Sequence, residues 1–398
     1  MKGWYFTMNK MLKKAISLAL VAAMGVMTLA SCNNQKQNEQ DNTLLIGGIG
    51  PITGDYANYG ISVKNGAQLA VEEINANGGI QGFNVELQFQ DSQGNPDSAI
   101  AAYGKLMDNG MKVSLGAVLS GETTSVVAAA KDDGILVLTP SGSADGAITG
   151  SNTSFRVCFS DSSQGFASAN YIADNNLADK VVVFYASDVD YSKGLYNTFE
   201  KQCAQRGIEI VEVQTFDKST NTDFTTQINA IEASGVKLIF IPIYAAEAAT
   251  FLTQAKQANA FSEDTIFFGC DGLDGILQKI DNPINAENVM MLTPFAADAT
   301  DEKTQNFVAA YQKAFNTTPD QFAADGYDAI YVIAEALKKA EITADNQIDF
   351  NEKIVAAMTQ IEVDGVTGKM TWTADGETNK AALAMIINDG VARAYVGQ

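Results

Sequence analysis

From Leu44 onward the chain alternates short apolar runs with amphipathic stretches, and it does so twice; no other feature constrains its fold as much. Leu44–Ile49, Val85–Phe89, Val113–Leu119 and Ile135–Leu138 are short, continuous and rich in aliphatic residues, as strands buried on both faces are. Between the first two, Ile61, Ala67, Ala70, Val71 and Ile74 recur at helical spacing, and Asn77-Gly78-Gly79 ends that helix. A second series follows the Ser160–Ser163 stretch: strands at Lys180–Tyr185, Ile208–Val213, Leu238–Ile243 and Thr265–Phe268, with a helix from Lys193 to Gln205. Alternation of this kind makes parallel sheets with helices on both faces, so two series predict two doubly wound α/β lobes. A length of 398 residues is enough for two separate cores. Ligands of such sheets bind beyond the carboxyl ends of the strands, which puts the expected site in the cleft between the lobes. Val289–Phe295 and Gly368–Thr373 are apolar and extended, and are expected to cross from lobe to lobe.

Composition removes whole classes of function. With Lys+Arg 26 against Asp+Glu 47, the net charge of −21 repels phosphate backbones, so nucleic acid is not an expected partner. The chain has no histidine, and with it go the commonest general base and the commonest metal ligand. Gly48, Gly50 and Gly54 have the wrong spacing for a dinucleotide loop, and Pro51 removes an amide that pyrophosphate needs. No metal-ligand cluster is visible either. Neither a cofactor nor a metal is expected.

Residues 1–31 read as an address. Lys10, Lys13 and Lys14 precede an apolar run, Ala15 to Ala30, that ends in Leu29-Ala30-Ser31-Cys32. That tetrapeptide resembles a bacterial lipobox, which implies cleavage before Cys32 and acylation of its sulfur. Residues 32–42 are polar and suit a flexible tether, so the protein is expected to be exported and lipid-anchored at the outer face of the cytoplasmic membrane. Cys158, Cys203 and Cys270 have no histidine to activate them and read as small buried hydrophobes.

Several motifs then fall in one order: Pro51-Ile52-Thr53-Gly54, Tyr59-Gly60, Ile74-Asn75-Ala76-Asn77-Gly78-Gly79-Ile80-Gln81-Gly82, Asp91, Gly116 to Ser120, Thr139-Pro140-Ser141-Gly142-Ser143, Phe155-Arg156, Tyr191 with Gly194, Gly326-Tyr327-Asp328-Ala329, and Gly368, Trp372 and Gly376. From Leu44 to the C-terminus this resembles the leucine/isoleucine/valine-binding proteins, the substrate-binding components of ABC importers. The resemblance implies a type I periplasmic-binding-protein fold with three hinge crossovers, near Val157–Ser160, Leu292–Phe295 and Met370–Thr373. One lobe would hold 43–158 plus 295–370 and the other 159–294 plus 371–398. It implies a monomer that captures an amino acid and is not an enzyme, with ABC permease subunits in the membrane as partners. A sensory lipoprotein of the same fold, or a binder of a related small amide or organic acid, is the alternative.

A zwitterion needs donors for its carboxylate, an anion for its ammonium and a surface for its side chain. Ser120 precedes an expected helix over Thr123–Lys131, and Ser141 to Ser143 follow the next strand, so both stretches offer hydroxyls and amides where an anion is favoured. The resemblance puts the carboxylate on Ser120 and Ser143 with the backbone at Ser141, the ammonium on Asp271, and Tyr59, Tyr191 and Tyr244 around the pocket. Glu122 departs from the small hydroxyl residues expected there; it could cap its helix or bias the pocket towards a basic or polar ligand.

Overall fold

The computed structural model describes residues 42–395. The signal segment, Cys32 and the polar stretch up to Asp41 lie outside the described residues. Two sheets organise the rest. The first is all parallel, in the order β2 (Asn84–Asp91), β1 (Thr43–Gly50), β3 (Val113–Gly116), β4 (Leu136–Thr139), β5 (Ser154–Arg156). Helices α1 (Ala57–Ala76), α2 (Pro96–Asp108) and α3 (Ser120–Ala129) connect its strands. The apolar runs become strands because both sheet faces are covered: Leu44, Ile46, Val113 and Leu136 are all fully buried.

The second sheet runs β14 (Val391–Ala394), β13 (Leu383–Asn388), β10 (Val289–Thr293), β9 (Ile266–Gly269), β8 (Leu238–Phe240), β6 (Lys180–Ala186), β7 (Glu209–Phe216). Its core five strands are parallel, and β13 and β14 add an antiparallel edge that the strand–helix alternation did not announce. Helices α4 (Asp161–Asp174), α5 (Asp190–Arg206), α6 (Thr225–Ser234) and α7 (Ala245–Ala258) surround it.

After β10 the chain returns to the first lobe as α8 (Glu302–Phe315), α9 (Gln321–Lys339) and α10 (Phe350–Met358). Helix α9 lies along α1 at backbone contact: a Cβ on Gly66 would stand 1.8 Å from the Ala323 carbonyl oxygen, and one on Gly326 2.4 Å from that of Val63. The glycine of Gly326-Tyr327-Asp328 is therefore a packing residue.

Gly368–Thr373 does not cross between lobes. Gly368–Thr371 is β12, paired antiparallel with β11 (Glu362–Gly365) in a separate hairpin. The reason is local: the Asp328 carboxylate accepts from the amides of Val366 and Thr367 at 2.9 Å each and holds the turn, while Met370 and Trp372 sink into the first lobe's core. The third crossover therefore lies beyond Trp372, between it and β13. It is pinned to the first crossover through Arg156, which is fully buried. Arg156 N donates to Gly376 O at 3.1 Å, its Nη2 pairs with Glu377 at 3.1 Å, and Trp372 Nε1 donates to Arg156 O at 2.8 Å.

Cys158, Cys203 and Cys270 are all buried free thiols. Among the described residues, no helix is long and apolar enough to cross a membrane.

Candidate functional site

The carboxyl ends of β3 and β4 supply one wall of a cavity between the sheets. Beyond β3 the chain turns directly into α3, whose helical conformation begins at Ser120, not at Thr123 as the sequence suggested. Ser120 is therefore in the first turn of the helix, where backbone N–H groups have no partner within the helix and favour an anion. Its hydroxyl accepts from Ala144 N at 3.1 Å, and the hydroxyl of Ser141 donates to Val118 O at 2.8 Å, so the two loops lace each other in place. Gly142 lies between the serines because nothing larger fits: a Cβ there would stand 2.2 Å from Thr123 Oγ1. Arg156 completes the scaffold from behind, its Nη1 donating to Ser143 O at 2.6 Å.

The facing wall comes from β9, α4, α5 and α7. Asp271, just past β9, is buried; its Oδ1 accepts from Tyr191 OH at 2.8 Å and its Oδ2 from Gln164 Nε2 at 2.9 Å. Burial pushes its carboxyl up to about 6, against the pull of those two hydrogen bonds. Tyr191 OH also accepts from Gly272 N at 2.8 Å, and its ring stacks on Tyr244 with centroids 4.8 Å apart and planes 6° from parallel. Tyr59 reaches across from α1, donating to Gly272 O at 2.6 Å and accepting from Ala245 N at 2.7 Å.

All seven residues singled out in the sequence, Tyr59, Ser120, Ser141, Ser143, Tyr191, Tyr244 and Asp271, line one narrow, nearly filled cavity of about 10 Å³, together with Val118, Leu119, Gly272 and Phe322. A wider groove by Phe261, Glu263 and Asp389 carries no such convergence of buried polar groups. Glu122 is not in the cavity. Its carboxylate folds back on its own helix, Oε2 facing Leu119 N at 3.4 Å, and burial pushes it up to about 7. It acts as a cap and leaves the cavity's charge to others.

Sequence reasoning missed Gln164 and Asp161. Gln164 orients Asp271 from two sides, since its Oε1 also accepts from Asp271 N at 3.1 Å. Asp161 is fully buried and neither of its oxygens has a partner at full bonding geometry. Burial first, then the charge of Asp271, lifts its carboxyl well above the usual range, and Ser143 and Arg156 oppose that only in part. A signal existed: Asp161, Gln164 and Ser168 recur on one face of α4, polar residues on the face an amphipathic helix buries. Among the described residues, no group of three or more acidic, cysteine or histidine side chains could hold a metal ion.

The arrangement presents hydroxyls and a helix N-terminus on one side, buried carboxylates on the other and aromatic rings between, complementary to a small molecule carrying both charges.

A family model described as periplasmic binding protein matches residues 43–390. The leucine-, isoleucine-, valine-, threonine- and alanine-binding protein of Pseudomonas aeruginosa is 29% identical over 360 residues, 90% of this chain and 92% of that protein. Leu/Ile/Val-binding protein homolog 3 of Brucella melitensis is 28% identical over 336 residues, 84% of this chain and 87% of that one. Among solved structures, the branched-chain amino acid transporter substrate-binding protein of Streptococcus pneumoniae, in complex with isoleucine, superposes with a TM-score of 0.80 at 29% identity, covering 89% of this chain and 99% of that one.

Proposed function

Since the chain belongs to the periplasmic binding protein family, we propose that it is the extracytoplasmic capture protein of an ABC importer, closing on an α-amino acid with an uncharged side chain and delivering it unaltered to permease subunits. The convergence of both walls on one cavity carries this reading. Ser120 and Ser143, with the backbone at Ser141, take the ligand carboxylate, assisted by the first turn of α3. Asp271 takes the ammonium. Asp161, a second buried carboxylate beside it, adds to the demand for a cation at that end. Tyr59, Tyr191 and Tyr244 form the wall for the side chain, rings packing while hydroxyls find partners. The isoleucine in the pneumococcal relative, and the five neutral amino acids in the name of the Pseudomonas one, support a ligand of this class.

Two lobes joined by three crossovers can swing while each core stays rigid, so capture proceeds by hinge closure. The protein works as a monomer, held at the membrane by acylation of Cys32, the residue that closes the lipobox-like Leu29-Ala30-Ser31. Calorimetry with L-isoleucine, L-leucine, L-alanine, their amides and aromatic acids tests the ligand class: the free amino acids should bind best, and preferential binding of acids that lack an ammonium would overturn it. Mass spectrometry of the membrane fraction tests the anchor, which is lost if Cys32→Ala leaves processing and membrane retention unchanged.

A further inference from the structure

Away from the cavity, Asp274 and Asp320 meet across the seam between the lobes. Asp274 follows β9 in the second lobe, and Asp320 is the N-cap of α9 in the first. Both carboxylates serve the same helix terminus: Asp320 Oδ1 accepts from Ala323 N at 2.9 Å, and Asp274 Oδ2 reaches over to accept from Gln321 N at 2.8 Å. Gln278 returns the contact from the second lobe, donating to Asp320 Oδ2 at 3.2 Å, while Ser62 of α1 donates to the same oxygen at 2.7 Å. The approach is close enough that a Cβ on Gly275 would stand 3.4 Å from Asp320 Oδ2.

A helix N-terminus attracts one anion readily, but here it holds two, a buried Asp320 and a half-buried Asp274. The groups facing the pair do not neutralise it. Asp271 adds a further negative charge, and Tyr311 of α8 is neutral, burial and the charge of Asp320 having raised its hydroxyl. Asn58 of α1, with both side-chain polar atoms unpartnered, carries no charge. Among the described residues, no Lys or Arg forms an ion pair with either carboxylate.

We propose that Asp274 is a positioning residue for the closed state, a latch across the seam whose engagement beside Asp320 takes up one proton from solvent and so couples ligand capture to pH. The latch rests on hinge closure as described above. Burial and the charge of Asp320 push the Asp274 carboxyl up to about 7, whereas with the lobes apart a solvated carboxyl stays near its usual value of about 4. The closed state therefore binds more protons between those limits. The latch strengthens closure most at low pH and loses that contribution as pH rises towards 7, by at most about tenfold per unit. Asp271 works in the opposite sense, because the ligand ammonium favours its ionised form, so the latch is read from a difference between parent and variant.

Asp274 also accepts from Gly275 N through Oδ1 at 2.9 Å; Asp274→Asn keeps an oxygen for Gln321 N, gives up that short-range bond at every pH and removes the titrating charge. The ratio of parent to variant dissociation constants for L-isoleucine and L-leucine should rise by up to about a hundredfold between pH 5 and pH 8, the variant being the tighter at pH 8. Asp320→Asn should flatten the same difference from the other lobe. A parent-to-variant ratio constant from pH 5 to 8 overturns the latch. The ligand-free protein provides a second reading through its lobe closure: by small-angle scattering the parent's radius of gyration should be smaller at pH 5 than at pH 8 while that of Asp274→Asn stays constant, and a parent radius that does not change with pH also overturns the proposal. If none of the amino acids binds, the assignment of ligand falls and the scattering comparison still decides the latch.

Discussion

The two lobes face the cavity with opposite chemistry. The first offers neutral hydroxyls whose loops are locked by bonds within that lobe, Ser141 to Val118, Ser120 to Ala144 and Arg156 to Ser143. The second offers a buried carboxylate held by side chains distant in sequence, Gln164 and Tyr191. The difference teaches where the proposed function would place affinity: hydroxyls come to the cavity at little desolvation cost, while a buried carboxylate, though it accepts two hydrogen bonds, gains most from a counter-charge such as a ligand ammonium.

The sharpest way to break this comparison is Asp271→Asn. It removes the counter-charge to a desolvated ammonium, and binding of L-isoleucine should weaken by roughly 2–5 kcal/mol in calorimetry. Equal affinity in parent and variant would mean that the second lobe's charge does not hold the ligand. Ser120→Ala tests the hydroxyl wall. It should cost less, about 1–3 kcal/mol, as one unmet hydrogen bond does, and a loss equal to that of Asp271→Asn would erase the asymmetry between the lobes. Smallest is Tyr59→Phe, which keeps the ring but deletes the hydroxyl that bridges to Gly272 O and Ala245 N. We expect about 0.5–1.5 kcal/mol of affinity lost, with a larger radius of gyration for the ligand-bound protein by small-angle scattering. Affinity equal to the parent's would remove Tyr59 from the contacts that hold the lobes together.

Much of this was legible in the chain. Runs such as Leu44–Ile49 could only be buried strands, and Ser120, Ser141 and Asp271 stood just past strand ends, where a doubly wound sheet exposes its ligand-facing loops. What escaped depended on pairing over distance. Gln164 and Asp271 are 107 positions apart, and no local pattern ties them. The extended look of Gly368–Thr373 suited a crossover as well as a hairpin; Asp328, folding the turn before it from another helix, decided between them. The antiparallel strands β13 and β14 were obscure for the same reason, because the register of β13 is set by Met290–Thr293 and that of β14 by β13, not by their own alternation.

Arg156 links the crossovers in a way that bears on how the protein moves. Its backbone holds Gly376 and Trp372, and its guanidinium holds Glu377, so the first and third linkers are fastened side by side at the point where they leave the first lobe. Two strips clamped together bend easily about a shared line but resist sliding past one another. The lobes should then open and shut along a single arc, like a door on a double hinge, with twist suppressed. Ligands of different bulk would stop that door at different angles without changing the path it follows, and a membrane partner reading the relative placement of the lobes would read a single coordinate.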